Sequence, residues 1–204
     1  MTTLSSRFQD ALVYANQVHA AQRRKGTSVP YVSHVLIVAG LVLENGGDEN
    51  EGIAALLHDA VEDQGGEARL ADIRARFGHA VANIVLGCSD SIAIPKPPWE
   101  ERKRRYLDRL PTAPPSVRLV SVADKVANAR AILAGYRERG DEVWTRFNAP
   151  PDRILWYYRE LVKAFRAAGD SPLVDELDRI VTTIESLGRQ QAGRLPPHTS
   201  PNCR

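Results

Sequence analysis

The chain has 204 residues, 43% of them hydrophobic, which is typical of one folded domain with a sizeable core. Its 27 basic and 25 acidic residues give a net charge of +2, which excludes the strong overall field that attracts nucleic acid or an anionic membrane. No apolar run approaches the roughly 18 residues that cross a bilayer, and the start lacks the layout of a signal peptide. We therefore expect a cytoplasmic monomer or homodimer that binds neither nucleic acid nor a membrane.

Apolar residues recur at helical spacing along most of the chain, and no segment alternates cleanly enough to indicate a strand. The sequence therefore predicts an all-α fold, a single helical bundle. The predicted helices cover approximately residues 7–20, 31–45, 50–64, 70–77, 80–88, 101–110, 116–136, 155–165 and 173–187.

The boundaries of these helices follow from capping and helix-breaking residues. Asp48 or Asn50 can cap the third helix, because a short polar side chain accepts from free amide groups of the first turn. Gly78 divides the fourth helix from the fifth, and prolines interrupt the chain at residues 94–98. We expect one domain over residues 5–187 and a disordered tail over residues 188–204, which has little to bury.

The most informative segment is His58-Asp59, which ends an apolar run and is followed by a second acidic pair, Glu62-Asp63. If one helix continues through both pairs, the second pair lies one turn beyond the first, and four polar groups share one face. A buried carboxylate without a partner is costly, and a metal ion is one of the few partners that satisfies several at once. The alternative is a solvated helix end, which is also rich in acidic residues.

Two other predicted helices contain polar residues that interrupt an apolar pattern. Asp124 and Asn128 are four residues apart and share a face, where a buried salt bridge is the alternative to a binding site. His34 is by itself equally consistent with an ordinary core histidine. Together, however, His34, His58, Asp59 and Asp124 supply two imidazoles and two carboxylates, a set that suits a divalent ion such as manganese. Four ligands on an octahedral ion leave two positions free, as metal-assisted phosphoester hydrolysis requires.

The order His34, then His58-Asp59, then Asp124 resembles the H…HD…D pattern of HD-type metal phosphohydrolases. The surrounding strings, at residues 23–34, 54–63 and 122–130, resemble the branch that hydrolyses the alarmone (p)ppGpp. This branch includes the hydrolase domain of the Rel/SpoT proteins and the single-domain small alarmone hydrolases. The resemblance covers about residues 7–165.

This resemblance implies an HD-domain bundle that removes the 3′-pyrophosphate of (p)ppGpp, giving GDP or GTP and pyrophosphate. It implies a Mn²⁺ cofactor and a nucleotide substrate. The implied manganese ligands are His34, His58, Asp59 and Asp124. Glu62 and Asp63 are implied to position or activate the attacking water.

The resemblance also implies a set of residues that hold the substrate. Arg24 would stack on the base, Lys25 would lie near phosphate, and Asn128 would hold the ribose, with Lys125 as an auxiliary contact. The positive charge of the loop that carries Arg24 and Lys25 independently suits a polyanionic pyrophosphate. Some Rel-type hydrolases place a hydroxyl near the base at the position of Ala131, so the base preference stays open, and (p)ppApp, which would give ADP or ATP, is a second expected substrate.

Other features of the sequence have more than one interpretation. The basic run at residues 102–105, with Lys96, either extends the phosphate site or forms a solvated helix face. Cys88 falls in an apolar helical segment and is interpreted as core, whereas Cys203 lies in the tail, with no spacing typical of a zinc site or disulfide. Two alternative functions also stay open, a phosphatase acting on NADP(H) or another nucleotide and a nucleotide sensor without catalysis.

Overall fold

The computed structural model describes residues 2–93 and 95–192 of the chain. Within these residues the fold is helical and has no strand, only an isolated β-bridge between Arg23 and Pro30, so the all-α prediction is confirmed. The α-helices of the described residues are α1 Ser6–Val18, α2 Val32–Glu44, α3 Glu49–Leu57, α4 Ala60–Asp63, α5 Gly66–Cys88, α6 Trp99–Arg109, α7 Pro115–Arg139, α8 Pro151–Ala168 and α9 Pro172–Ala192. Short 3₁₀ helices cover Leu110–Thr112 and Gly140–Arg146. No helix in the described part of the chain is long and apolar enough to cross a membrane.

Helix α3 lies at the centre of the bundle, where it packs against α1, α2, α5 and α7. Its residues 52–57 are all buried, because this helix is apolar on every side. A capping box begins the helix: the Asp48 carboxylate accepts from the Glu51 amide at 2.8 Å, and Glu51 accepts from the Asp48 amide at 2.8 Å. The prediction of a cap at Asp48 is therefore confirmed.

The expected single helix through both acidic pairs is wrong, because α3 ends at Leu57 and α4 begins at Ala60. His58 Nδ1 lies 2.8 Å from the carbonyl oxygen of Ala55, to which it donates. In an uninterrupted α-helix, that carbonyl would accept from the Asp59 amide, so the His58 side chain competes with the helical ladder. The two pairs therefore occupy separate segments instead of one continuous face.

Helix α5 contains the predicted division at Gly78. This residue has φ 89° and ψ 171°, so the helix is kinked there, in a region of backbone space that favours glycine. Residues 70–77 and 80–88 thus form two helical segments that meet at an angle. Helix α5 packs against α3, α4 and α7.

The last helix extends further than the sequence predicted. It continues through Gly188 to Ala192, whereas we expected a helix to residue 187 followed by a disordered tail. A glycine can remain helical when tertiary packing supports the helix, and α9 packs against α7 and α8. The expectation of a tail is therefore wrong for residues 188–192, and its remainder, residues 193–204 with Cys203, lies outside the described residues.

Candidate active site

Three segments bring the four candidate ligands to one point. His34 lies in the first turn of α2, His58 and Asp59 lie between α3 and α4, and Asp124 lies in the middle of α7. One nitrogen or oxygen atom from each of these residues lies within 4.8 Å of the others. The two histidines and Asp124 are buried, whereas Asp59 is partly exposed. The structure thus brings together all four residues that the sequence pattern selected.

The atoms of this cluster are arranged as a set of acceptors. Because His58 Nδ1 donates to a carbonyl, its Nε2 in the neutral ring carries a lone pair, which faces Asp59 Oδ2 at 3.0 Å and Asp124 Oδ1 at 3.6 Å. His34 Nε2 lies 3.1 Å from Asp124 Oδ1 and 3.6 Å from Asp59 Oδ2. Both Nε2 atoms are buried without a hydrogen-bond partner in the described part of the chain. Acceptors turned toward one another need a cation between them, so this donor set fits a divalent metal ion.

The electrostatics of the cluster also favour a cation. Burial raises the pKa of Asp59 and of Asp124, but His58 outweighs burial at Asp59, and Lys125 and the histidines outweigh it at Asp124, so both pKa values lie well below the ordinary value. Burial lowers the pKa of His58, but the two carboxylates raise it well above its usual range. Protons and metal therefore compete for the same lone pairs, as is usual for metal sites.

Groups behind the ligands fix their orientation. The Tyr31 hydroxyl donates to Asp59 Oδ2 at 2.5 Å, Lys125 Nζ donates to Asp124 Oδ2 at 2.6 Å, and Asn128 Nδ2 donates to Asp124 Oδ1 at 2.5 Å. Such outer partners hold a ligand in the geometry that a metal ion requires. Asn128 continues outward, because its Oδ1 accepts from an Arg24 NH2 group at 3.0 Å. A hydrogen-bonded series of Asp124, Asn128 and Arg24 therefore leads away from the metal cluster.

The acidic pair Glu62 and Asp63 lies beside the cluster and is not part of the group of four. Glu62 accepts from Lys96 Nζ at 2.9 Å and from the Asp90 amide at 3.2 Å, and Asp63 accepts from Gln22 Nε2 at 2.9 Å. Burial raises the pKa of both carboxyls, with added repulsion from Asp90 on Glu62 and from the cluster on Asp63. A raised pKa brings a carboxyl closer to the range in which it exchanges protons at neutral pH.

The basic run on α6 divides into a buried half and an exposed half. Arg102 NH1 lies 2.5 Å and Lys103 Nζ lies 2.7 Å from Asp90 Oδ2, and these two basic side chains are only 14% and 19% exposed. In contrast, Arg104 and Arg105 are 60% and 69% exposed and pair with glutamates one turn away. Half of the run therefore faces the site, and the other half is a solvated helix face.

A cavity of about 700 Å³ adjoins the cluster, a volume typical of sites for small organic ligands. His34, Asp63, Lys103 and Lys125 contribute to one part of its wall. We call this part, together with the adjoining His58, Asp59, Glu62 and Asp124, the ligand end. The four residues that the sequence pattern assigned to substrate binding all line this cavity: Arg24, Lys25, Lys125 and Asn128. Lys25 Nζ donates to Asn148 Oδ1 at 2.6 Å, which links two segments of the wall.

Another part of the cavity wall has a different character. It is lined by Ala131, Ile132, Val143 and Phe147, which we call the apolar end. Ala131 lies seven residues beyond Asp124, or about 10 Å along the helix at 1.5 Å per residue. The guanidinium of Arg24 lies over the Tyr31 ring, 5.8 Å from its centroid. The cavity is therefore charged beside the candidate metal ligands and apolar further along α7.

Sequence reasoning missed three contacts at the site. It did not select Tyr31 or Gln22, and it did not separate Lys103 from the other basic residues of α6. Tyr31 donates to Asp59, 28 positions away, and Gln22 donates to Asp63, 41 positions away, so only the fold reveals these hydrogen bonds. The sequence feature that could have indicated Tyr31 and Gln22 was their position: Tyr31 precedes His34 by about one helical turn, and Gln22 adjoins the basic loop. The interpretation of Cys88 as core is confirmed, because it is buried and burial raises its pKa to about 11.

The chain is similar to known proteins over most of its length. The family model of the HD domain matches residues 11–151. The guanosine-3′,5′-bis(diphosphate) 3′-pyrophosphohydrolase MESH1 of Xenopus tropicalis is 33% identical over 177 residues, which cover 84% of this chain and 90% of the relative. Among solved structures, a metazoan orthologue of SpoT that hydrolyses ppGpp matches with a TM-score of 0.74 at 28% identity, covering 90% of this chain and 98% of that chain.

A bacterial structure extends the comparison. The protein lmo0812 of Listeria monocytogenes EGD-e matches with a TM-score of 0.67 at 32% identity, covering 75% of this chain and 99% of that chain. The matched HD-domain region contains all four residues of the metal cluster. The chain therefore belongs to the HD-domain hydrolases, in the (p)ppGpp hydrolase family that includes MESH1.

Proposed function

We propose that this protein hydrolyses the 3′-pyrophosphate of (p)ppGpp in a manganese-dependent reaction, giving GDP or GTP and pyrophosphate. The observation that carries the proposal is the position of the cluster of His34, His58, Asp59 and Asp124 beside a cavity lined with cationic side chains. Relatives that carry this activity in their names share about a third of the aligned residues. A polyanionic nucleotide suits both features, because metal and basic side chains each neutralise phosphate charge.

The choice of Mn²⁺ rests on the chemistry of the donor atoms. The cluster offers two imidazole nitrogens and two carboxylate oxygens, a mixed set that suits a borderline or hard divalent ion and contains no thiolate. When bound, such an ion lowers the pKa of water and offsets negative charge on phosphate oxygens. Tyr31, Lys125 and Asn128 hold the carboxylates in place for it.

We assign the proton chemistry to Glu62 and Asp63. Their carboxyls are partly buried, their pKa values are raised, and they lie next to the ligands in the chain, so they are suited to orient water and accept its proton. Lys96 Nζ lies 2.9 Å from Glu62 Oε1 and 3.9 Å from Asp63 Oδ1, which places a positive charge over the pair. The Lys96 charge offsets the electrostatic repulsion between the Glu62 and Asp63 carboxylates when no substrate is bound.

We assign substrate binding to the wall of the cavity. Arg24 stacks on the base with the Tyr31 ring behind it, and Asn128 holds the ribose between Arg24 and the metal cluster. Lys25 supplies charge to a phosphate from an exposed position. Lys125 pairs directly with Asp124, which favours a role in supporting this ligand and in lowering the negative charge near the phosphate.

We also propose that the enzyme accepts (p)ppApp, giving ADP or ATP. The wall of the apolar end presents Ala131 where a hydroxyl would read the edge of a guanine base. Stacking on the Arg24 guanidinium recognises the face of a purine and does not distinguish adenine from guanine.

The test is an ion-exchange assay of purified protein that has been stripped with a chelator and then supplied with Mn²⁺, Mg²⁺ or Zn²⁺. The substrates are ppGpp, ppApp, NADPH and GTP, and the products are nucleotide and pyrophosphate. We expect pyrophosphate from ppGpp and ppApp with Mn²⁺, and none from the stripped protein. Phosphate from NADPH alone would instead indicate a nucleotide phosphatase, and binding of ppGpp without any product would indicate a sensor.

A further inference from the structure

A row of hydrogen bonds connects a buried histidine to Asp63. His19 follows α1 and is 1% exposed, and its Nδ1 lies 2.6 Å from Gln22 Oε1. Gln22 Nε2 in turn donates to Asp63 Oδ2 at 2.9 Å. Neither His19 nor Gln22 contributes an atom to the candidate metal cluster, so the row reaches the site only through Asp63 and the cavity wall.

The chemistry of Asp63 determines the orientation of every group in this row. A carboxylate only accepts hydrogen bonds, so Gln22 must turn its NH2 group toward Asp63. Gln22 Oε1 then faces His19, and it also accepts from Gln64 Nε2 at 2.9 Å. His19 must therefore donate, with its proton on Nδ1, and the Gln22 amide is held from both ends.

The position of His19 is itself tightly determined. Its ring lies against Tyr31, with centroids 5.0 Å apart, and burial lowers its pKa, which favours the neutral ring. The other nitrogen, Nε2, is buried and has no hydrogen-bond partner in the described part of the chain. Such an unsatisfied group is destabilising, and an apolar side chain of similar size would avoid that cost. A function for the Nδ1 hydrogen bond would account for a histidine at this position.

We propose that His19 is a positioning residue that acts through Gln22 to hold Asp63 for its proton-transfer role. This inference rests on the proposed function, because it explains the orientation of Asp63, a carboxylate to which that function assigns proton transfer. Gln22 donates to Asp63 Oδ2, whereas Lys96 Nζ lies 3.9 Å from Oδ1, beyond hydrogen-bond distance, so Oδ1 can accept from water. Without the proton on His19 Nδ1, Gln22 Oε1 keeps only the Gln64 donor of the two described above, so the orientation of the Gln22 amide, and with it that of Asp63, is less tightly fixed.

Two substitutions of His19 separate the hydrogen bond from the ring. His19→Phe keeps a ring against Tyr31 and removes the donor, whereas His19→Asn keeps a donor near the position of Nδ1 and removes the ring. For His19→Phe we expect kcat on ppGpp to fall about 10- to 100-fold, the usual effect of losing an outer partner, with KM and Mn²⁺ affinity nearly unchanged. His19→Asn is expected to recover most of kcat. The matched control is His79→Phe, at an exposed histidine of α5, which should behave as wild type.

Two kinetic outcomes would overturn the inference. One is an unchanged kcat in a folded, metal-binding His19→Phe protein. The other is an equal loss in His19→Asn and His19→Phe, which would show that packing of the ring matters and the hydrogen bond does not. A double variant with Gln22→Leu should lose little more than either single variant, because both act through one row.

A spectroscopic measurement keeps this inference separate from the proposed function. The side-chain NH2 protons of Gln22 should give a pair of NMR signals displaced from the shifts of a free glutamine amide in wild type and His19→Asn, and a pair shifted toward those free-amide values in His19→Phe. If wild type releases no pyrophosphate, the proposed function fails, and these signals still decide whether His19 orients the amide. Identical Gln22 signals in wild type and His19→Phe would refute the positioning role.

Discussion

The ligand end and the apolar end of the cavity are built on different principles. At the ligand end, side chains are held by polar partners. Asp124, for example, accepts hydrogen bonds from Lys125 and Asn128 and faces both histidines. At the apolar end, Ala131, Ile132, Val143 and Phe147 offer shape, and the charged residue Arg146, between Val143 and Phe147 in the chain, also lines this stretch of the wall. A substitution among coupled polar groups leaves others buried and unpaired, whereas one on an apolar wall changes contact only. We therefore expect abrupt losses of function at the ligand end and graded changes at the apolar end.

The largest expected effect comes from removal of a ligand, Asp59→Ala. Asp59 is the one member of the cluster that is not fully buried, and its carboxylate accepts from the Tyr31 hydroxyl. The variant loses both this candidate metal ligand and this hydrogen bond. We expect Mn²⁺ affinity and ppGpp hydrolysis to fall by more than the about 100-fold that loss of an outer partner costs. Calorimetric titration with Mn²⁺ and the pyrophosphate assay measure the two quantities.

The control for this variant is Asp108→Ala, which removes an exposed carboxylate of α6. It should bind Mn²⁺ and turn over substrate as wild type does. Retention of wild-type Mn²⁺ affinity in Asp59→Ala would show that the cluster is not the metal site, and the contrast between the two ends would lose its basis.

The next largest effect separates chemistry from metal binding within the ligand end. Glu62→Gln keeps the size of the side chain and removes the base, so we expect kcat to fall about 10²- to 10⁴-fold, the range for general acid–base groups. Mn²⁺ affinity should stay near wild type, because Glu62 is not one of the four clustered residues. Steady-state kinetics and metal titration on the same preparation check both expectations.

Glu101→Gln, at an exposed glutamate of α6 that pairs with Arg105, is the matched control and should leave kcat unchanged. Loss of Mn²⁺ from Glu62→Gln, in a protein that still unfolds at the wild-type temperature, would contradict the division of labour between ligands and base.

The sequence singled out the residues of the candidate metal cluster because their types are unusual where they occur. His34, His58 and Asp124 interrupt apolar helices, where a polar group requires a specific partner. The all-α architecture was likewise readable, because helical periodicity is local. The break at His58 was not predicted, since it depends on competition between a side chain and the helix for one carbonyl group.

Partners distant in the chain were also beyond sequence reasoning. Glu62 pairs with Lys96, 34 residues away, and no local pattern specifies that contact. The basic run on α6 divides between Arg102 and Lys103, which face Asp90, and neighbours that face solvent. That division depends on how α6 rotates about its axis, which the packing of the bundle sets.

A smaller effect is expected where the two ends meet, at Arg24. Its NH2 group bonds to Asn128 Oδ1, and its guanidinium lies over Tyr31, so Arg24→Ala removes one charged hydrogen bond and a stacking surface. We expect KM for ppGpp to rise by at least about 10-fold, because such a bond contributes about 1.5–3 kcal/mol, or about 10- to 150-fold, with kcat nearly unchanged. Steady-state kinetics over a range of ppGpp concentrations measure both constants.

Arg137→Ala, at an exposed arginine in the last turn of α7, is the control and should leave KM unchanged. A double variant of Arg24→Ala with Asn128→Ala should show less than the sum of the two free-energy losses, because the residues share a bond. A fall in kcat without a rise in KM would contradict a role of Arg24 in substrate binding and would instead indicate that it supports the catalytic groups of the ligand end.

The smallest effect is expected at the apolar end, from Ala131→Ser. The added hydroxyl can bond to the edge of a guanine base, and one neutral hydrogen bond contributes about 1 kcal/mol, or about fivefold in kcat/KM. We therefore expect kcat/KM for ppGpp to rise about fivefold, with ppApp within twofold of wild type. Competition between the two nucleotides in one reaction measures this ratio directly.

Ala134→Ser provides the matched control, because residue 134 is exposed on α7, three positions further along, and does not line the cavity. The helix cost of serine is the same in both variants, about 0.5 kcal/mol, so any difference between them reports contact with the base. Equal changes for ppGpp and ppApp in Ala131→Ser would mean that the base lies elsewhere. A fall of 100-fold or more for both nucleotides would instead show that the apolar end is coupled to the ligand end, so that the two ends do not act separately.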